Sequence, residues 1–271
     1  MAKVSDQERQ FYFEKLAPYR VVIDAVLARE KKQLLIIQQN PVNVAFKRLA
    51  LADDMLSLAS YYIMLNGLSL VVLKSKNEEA LNDARKSLYK SIFYLEQVVT
   101  GLVDVGFSEY EDKTAEIVSM ESSQRYFLVR KLGLAIQLLE NAYGDNTKWK
   151  WSFVELEGSL AAVAKNILDM KTIVANTDPC SPDYQPTTYH VRLVRRLLSQ
   201  AADRYREKYE LSTSQIDDFR QGINFLGALR RLLMVMGDHE EAEAVRKKID
   251  VWNSKLEADI RTQQEILQKN E

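Results

Sequence analysis

The chain has 271 residues, 46% of them hydrophobic and 28% charged, and its 37 basic and 38 acidic side chains leave a net charge of −1. That balance gives no support for general binding to nucleic acid or to an anionic membrane, and the length suffices to bury a substantial core. One cysteine, Cys180, excludes an intrachain disulfide and a Cys-rich zinc site.

Nine glycines and five prolines are few for this length and favour long helices. Ser5 and Glu8 have the spacing of a capping box, which predicts a first helix running to about Ile37, interrupted or kinked at Pro18. Asn40-Pro41 pairs an N-cap with a proline suited to a first helical position, predicting a second helix that reaches Lys74. Within it, residues 55–73 carry no charge. As a helix this stretch is roughly 29 Å long, about a bilayer's hydrocarbon thickness. Ser57, Ser60, Asn66 and Ser69 favour a buried core helix over a membrane span.

Asn77, followed by Glu78 and Glu79, opens a third helix that Gly106 is placed to end. Ser108 and Glu111 suggest a capping box for a fourth helix, closing at Tyr143-Gly144, and a fifth runs from about Thr147 to Ala175. Residues 176–188 hold three of the five prolines and predict an irregular connector between a five-helix body, 1–175, and a three-helix part, 189–271. The sixth helix covers 189–209; Ser214 caps the seventh, which Gly237 ends, and Asp238 caps the eighth.

No strand-like alternation of useful length appears, whereas Leu128, Leu132, Ala135, Leu139 and Tyr143 follow helical spacing, as do Ala242, Val245, Ile249, Trp252 and Leu256. The expected fold is all-α: about eight mostly long antiparallel helices, forming a bundle or stacked hairpins around helix 42–74. Residues 226–242 resemble part of a tetratricopeptide hairpin, through Leu226, Leu229, Leu233, Gly237-Asp238 and Ala242. The resemblance implies a stacked helical hairpin. The sequence departs from that pattern at Arg230, Arg246, Ile249 and Ser254.

Catalytic constellations fail one by one. Asp53-Asp54 and Asp217-Asp218 invite comparison with isoprenoid synthases, all-α enzymes that hold magnesium diphosphates on paired aspartate motifs. Chelation there needs a further carboxylate one turn along, and Ser57 and Gln221 stand at those positions. His190 and His239 lack the Glu three residues earlier that helical di-metal sites use. No nucleophile elbow, phosphate-cradling loop or dinucleotide fingerprint is present. No catalytic, cofactor-binding or metal-binding residue is therefore expected.

Two features point instead to a protein partner. Trp149 and Trp151 stand two apart, so one face of a simple helix cannot bury both. One either sits in the loop before the helix or faces outward as an anchor. Arg192, Arg195 and Arg196 share a helix face and could contact phosphates or an acidic partner, although 188–271 balances fifteen basic against fourteen acidic side chains, which favours a solvated, salt-bridged surface. The expected function is a non-catalytic scaffold or adaptor that binds another protein. The alternative is a binder or enzyme with an apolar, lipid-like or isoprenoid-like ligand around 55–73, oriented by Asn66. The polar N-terminus does not read as a secretory signal, so a cytoplasmic location is expected.

Overall fold

The computed structural model describes residues 4–144 and 147–269, and the protein is all-α, with no strand among the described residues. Ten helices follow in order: α1 Asp6–Gln39, α2 Val44–Val72, α3 Glu78–Val98, α4 Glu111–Ala115, α5 Ser122–Tyr143, α6 Lys150–Asn166, α7 Ile173–Asn176, α8 Tyr184–Lys208, α9 Ile216–Val235 and α10 His239–Lys269. The chain divides into two compact units. The first comprises 1–100, 112–119 and 127–156; the second comprises 101–111, 120–126 and 157–271. The proline-containing segment 176–188 lies wholly inside the second.

In the first unit α1, α2 and α3 form antiparallel hairpins. Arg29 pairs with Asp54, Tyr19 packs near Tyr61, and Asn77 meets Tyr12, so the α1 register descends as α2 ascends. Ala52, Met55 and Leu56 of α2 are fully enclosed. Beyond Ser60 the enclosure is one-sided, and Met64, Leu70 and Val71 are exposed. By length and composition α2 could cross a membrane, with a mean hydropathy of 1.6 in its most apolar window. Yet Asp53 and Asp54, in the first half of the helix, take ion pairs from Lys131 and Arg29.

In the second unit α8, α9 and α10 run up, down and up. Tyr205 stacks on Phe225 across α8 and α9, while Arg195 and Asp203 of α8, and Tyr209 just after it, meet Glu241, Lys248 and Asp259 of α10 in ascending order. Gly158 of α6 lies against side chains of α8 and α9. A Cβ there would stand 2.7 Å from a ring carbon of Tyr205 and 3.2 Å from Phe225. Gly158→Ala is expected to destabilise by about 1–2 kcal/mol despite its better helix propensity, measured by urea unfolding. Unchanged stability would mean that the Tyr205 ring moves aside freely.

Several boundaries differ from those the sequence predicts. α1 passes through Pro18 uninterrupted, because Pro18 and Glu14 are exposed and the freed Glu14 carbonyl can take water. Its extension to Gln39 makes Asn40 the closing residue of α1, and α2 starts later, after Asn43 at φ 53°. Asn77 does cap α3, accepting the Ala80 N–H at 3.0 Å, but the helix stops at Val98 rather than Gly106. The expected Ser108 box is displaced: Glu109 takes the Gly106 N–H at 2.9 Å, opening a 3-10 turn, and the single predicted fourth helix becomes α4 and α5.

The fifth predicted helix likewise ends at Asn166; the Asp169 carboxylate accepts the Lys171 N–H in a turn of its own. Residues 176–188 are not irregular throughout. α8 begins at Tyr184, and Pro186 falls in its first turn, where no N–H is needed. Ser214 does not cap α9; it adopts φ 49° after a π-helical turn, Tyr209–Thr213. Gly144 and Gly237, at φ 74° and 78°, end α5 and α9 as expected.

Candidate interaction surface

The central element of the surface is α5. Its start is secured by the Gln124 side chain, which accepts the Glu121 N–H at 3.1 Å, and its end by Gly144. Val129, Leu132, Ala135, Ile136, Leu139 and Tyr143 are buried in the first unit. At 100° per residue, the side opposite carries Phe127, Leu134 and Leu138 on one line. These three are 59%, 55% and 44% exposed. Lys131, between them, reaches Asp53 at 2.5 Å and ties α5 to α2 beside the seam. An exposed helix face is ordinarily polar, so an exposed apolar line opposite the buried stripe is notable.

The tryptophans lie in the same unit. Trp149 belongs to the turn before α6, the first of the two expected arrangements, with its N–H donated to Thr147 Oγ1 at 3.2 Å. The Arg85 guanidinium lies 3.9 Å from its ring centroid. Arg85 also donates to Asn82 Oδ1 at 3.0 Å and to Ser152 Oγ at 3.5 Å. Trp149 is thus half-buried under a cation. Trp151, in the first turn of α6, is half-buried too, with Lys150 4.7 Å from its ring.

The three arginines of α8, in the second unit, separate. Arg195 turns to the start of α10 and pairs with Asp238 at 2.7 Å and with Glu241. Arg192 and Arg196 remain exposed.

The carboxylate pairs are accounted for by ion pairs. Arg29 binds Asp54 through two hydrogen bonds of 2.7 and 2.6 Å, and Lys131 binds Asp53. These partners come from other helices, which is why neighbours along α2 could not show them. Asp217 pairs with Arg220 at 3.1 Å, while buried Asp218 takes Lys208 at 3.0 Å and Thr213 Oγ1 at 2.6 Å. Asn66 accepts the Asn77 N–H at 2.9 Å, which commits its carbonyl to the α2–α3 connection. His239 is exposed.

His190 is the notable buried titratable group. Its Nε2 lies 3.0 Å from the Ala164 carbonyl, which can only accept, so Nε2 carries the proton and Nδ1 is left as the acceptor. Burial, with the positive charge of Arg125 nearby, pushes the ring down to about 4. His190 lines a cleft with Arg125, Asp169, Thr172, Asn176 and Thr187, which has room for little more than a water molecule. Arg125 uses it to tie the main chain together, donating to Met120 O at 3.0 Å and Ile167 O at 2.7 Å. Thr187 Oγ1 is buried there without a partner. No group of three or more metal-ligating side chains converges among the described residues.

Sequence reasoning missed the α5 seam because the inner stripe was sufficient to explain the helix. The available signal was a second apolar phase at Phe127, Leu134 and Leu138, spaced seven and four apart. In comparisons with known proteins, one family model, described as TP0443 family, matches residues 8–260. No curated protein and no solved structure matches the chain.

Proposed function

The chain belongs to the TP0443 family, and we propose that it works as a non-enzymatic helical scaffold that binds another protein. The observation that carries this reading is the pair of opposed apolar faces on α5, of which the Phe127–Leu134–Leu138 face is exposed over about half of each side chain. The seven-and-four spacing is that of a coiled-coil seam, so its natural occupant is an amphipathic helix from the partner. Half-exposed aromatic and leucine side chains in a row over roughly 16 Å of helix can supply the anchor of such a contact.

The test is a comparison of quantitative affinity capture from native lysate by the wild-type chain and by Phe127→Glu/Leu134→Glu. Both substitutions replace exposed side chains, so the helical circular dichroism and the unfolding midpoint should be retained. A stoichiometric protein in the wild-type eluate should fall at least roughly tenfold with the variant, since two anchor residues each contribute more than 1 kcal/mol. An identical set and yield of captured proteins would sink the proposal.

A further inference from the structure

Segment 184–202 of α8 contains three arginines and no acidic residue, in a chain whose charges otherwise balance closely. The fold provides carboxylates to one arginine alone. Asp238 and Glu241, at the start of α10, both engage Arg195. Arg192 and Arg196, four apart and therefore about 5–6 Å from each other at Cβ, point to solvent, and no ion pair reaches either among the described residues. Tyr189 lies one turn before them on the same face, 48% exposed, with its ring steadied by Tyr126 at 6.1 Å between centroids. Two planar guanidinium forks beside a fixed aromatic ring make a surface of defined chemistry. It offers bidentate donors for carboxylates and an apolar edge for a neighbouring side chain.

We propose that the Tyr189–Arg192–Arg196 face of α8 is a docking site for an acidic peptide segment of a partner protein, with carboxylates on the two arginines and an apolar side chain against Tyr189. The size of the patch selects among anions. Duplex nucleic acid is typically held by roughly 6–10 phosphate contacts, and anionic membranes by clusters of roughly 4–8 basic residues. Two arginines fall short of both, whereas a pair of carboxylates one helical turn apart matches them. The site differs from the α5 seam in that its arginines lie on α8 and work by charge, although Tyr126, which steadies Tyr189, precedes Phe127 on α5.

Fluorescence polarisation of the full chain with a labelled peptide of about four Glu-Glu-Leu repeats, at about 50 mM salt to limit screening, provides the test. Wild-type protein should bind, and Arg192→Glu/Arg196→Glu should weaken binding at least roughly tenfold, with Tyr189→Ala giving a smaller loss. Arg130→Glu/Arg230→Glu, the same charge change at other exposed arginines, should bind as wild type does. Leu134→Glu/Leu138→Glu, on the α5 seam but away from Tyr126, should do so as well, which separates this site from the scaffold reading. The proposal is overturned by any of four results: no peptide binding by wild type, equal binding by the Arg192→Glu/Arg196→Glu variant, equal weakening by the Arg130→Glu/Arg230→Glu control, or tighter binding to duplex DNA or phosphatidylserine vesicles than to the peptide. Unchanged circular dichroism of each variant confirms that the fold is intact.

Discussion

Phe219→Ala should lower the unfolding free energy by about 3–5 kcal/mol, the largest effect expected of any single truncation in the second unit. Phe219 is fully buried and sits in the middle of an aromatic stack, with Tyr209 at 5.0 Å and Trp252 at 5.4 Å. These three rings come from the π-turn, α9 and α10, so removing the central ring leaves a cavity lined by elements that cannot all collapse onto it. The loss combines the transfer energy of the ring with that of the cavity. Neighbouring polar contacts depend on the same packing: the Tyr209 hydroxyl donates to Asp259 at 2.6 Å, and burial together with that carboxylate pushes its ionisation up to about 12. Urea unfolding at neutral pH measures the change, and Phe219→Leu should cost much less. A loss below about 1 kcal/mol for the alanine variant would show that the stack is not a rigid core.

Acid should destabilise the protein through His190. The ring ionises at about 4 in the fold against 6.5 ordinarily. Between those values the unfolded chain binds a proton that the folded chain does not, so stability falls as the pH drops through 6.5 and the loss levels off below about 4. The full difference is about 3 kcal/mol, of which about 2 kcal/mol is lost by pH 5. The cause is geometric. A protonated ring would put its second N–H into the small cleft that Arg125 also lines, without water to solvate either charge. His190→Gln removes the titration while keeping a donor for the Ala164 carbonyl. Unfolding free energies at pH 7, 6 and 5 should therefore converge for wild type and variant as the pH falls. Parallel curves would assign the acid sensitivity to other groups.

The same two residues show how far the sequence is readable. The helical phase of Trp252 with Ala242, Val245, Ile249 and Leu256 announces a buried stripe on α10, and all of it is buried but Ile249, which is half-buried. Nothing near Phe219 announces that its partners are Tyr209 and Trp252, because the π-turn that aims Tyr209 has no signature in local propensity. His190 reads from sequence only as a histidine without a metal-site neighbour. Its neutral state comes from burial and from the charge of Arg125, against the Ala164 carbonyl, which favours the protonated ring, and these neighbours are distant in the chain. Capping signals divide in the same way. Ser5 and Asn77 work as expected, since the partners lie within three residues, whereas Ser108 and Ser214 lose to competing arrangements at Glu109 and in the π-turn.

The sequence by itself determined the class of fold and most of its helices, because apolar spacing, caps and a scarcity of glycine and proline act over one or two turns. It also fixed the mismatch of the carboxylate pairs with a chelating motif, a matter of local spacing. Tertiary structure alone decided which charges are spent and which remain. Asp53 and Asp54 find Lys131 and Arg29, Arg195 finds Asp238 and Glu241, and Arg192 and Arg196 stay in solvent. It alone also decided which apolar face of α5 is covered. A hydrophobic stripe states that a face requires a partner, but whether the chain itself supplies one depends on contacts far apart in sequence, which no local pattern encodes.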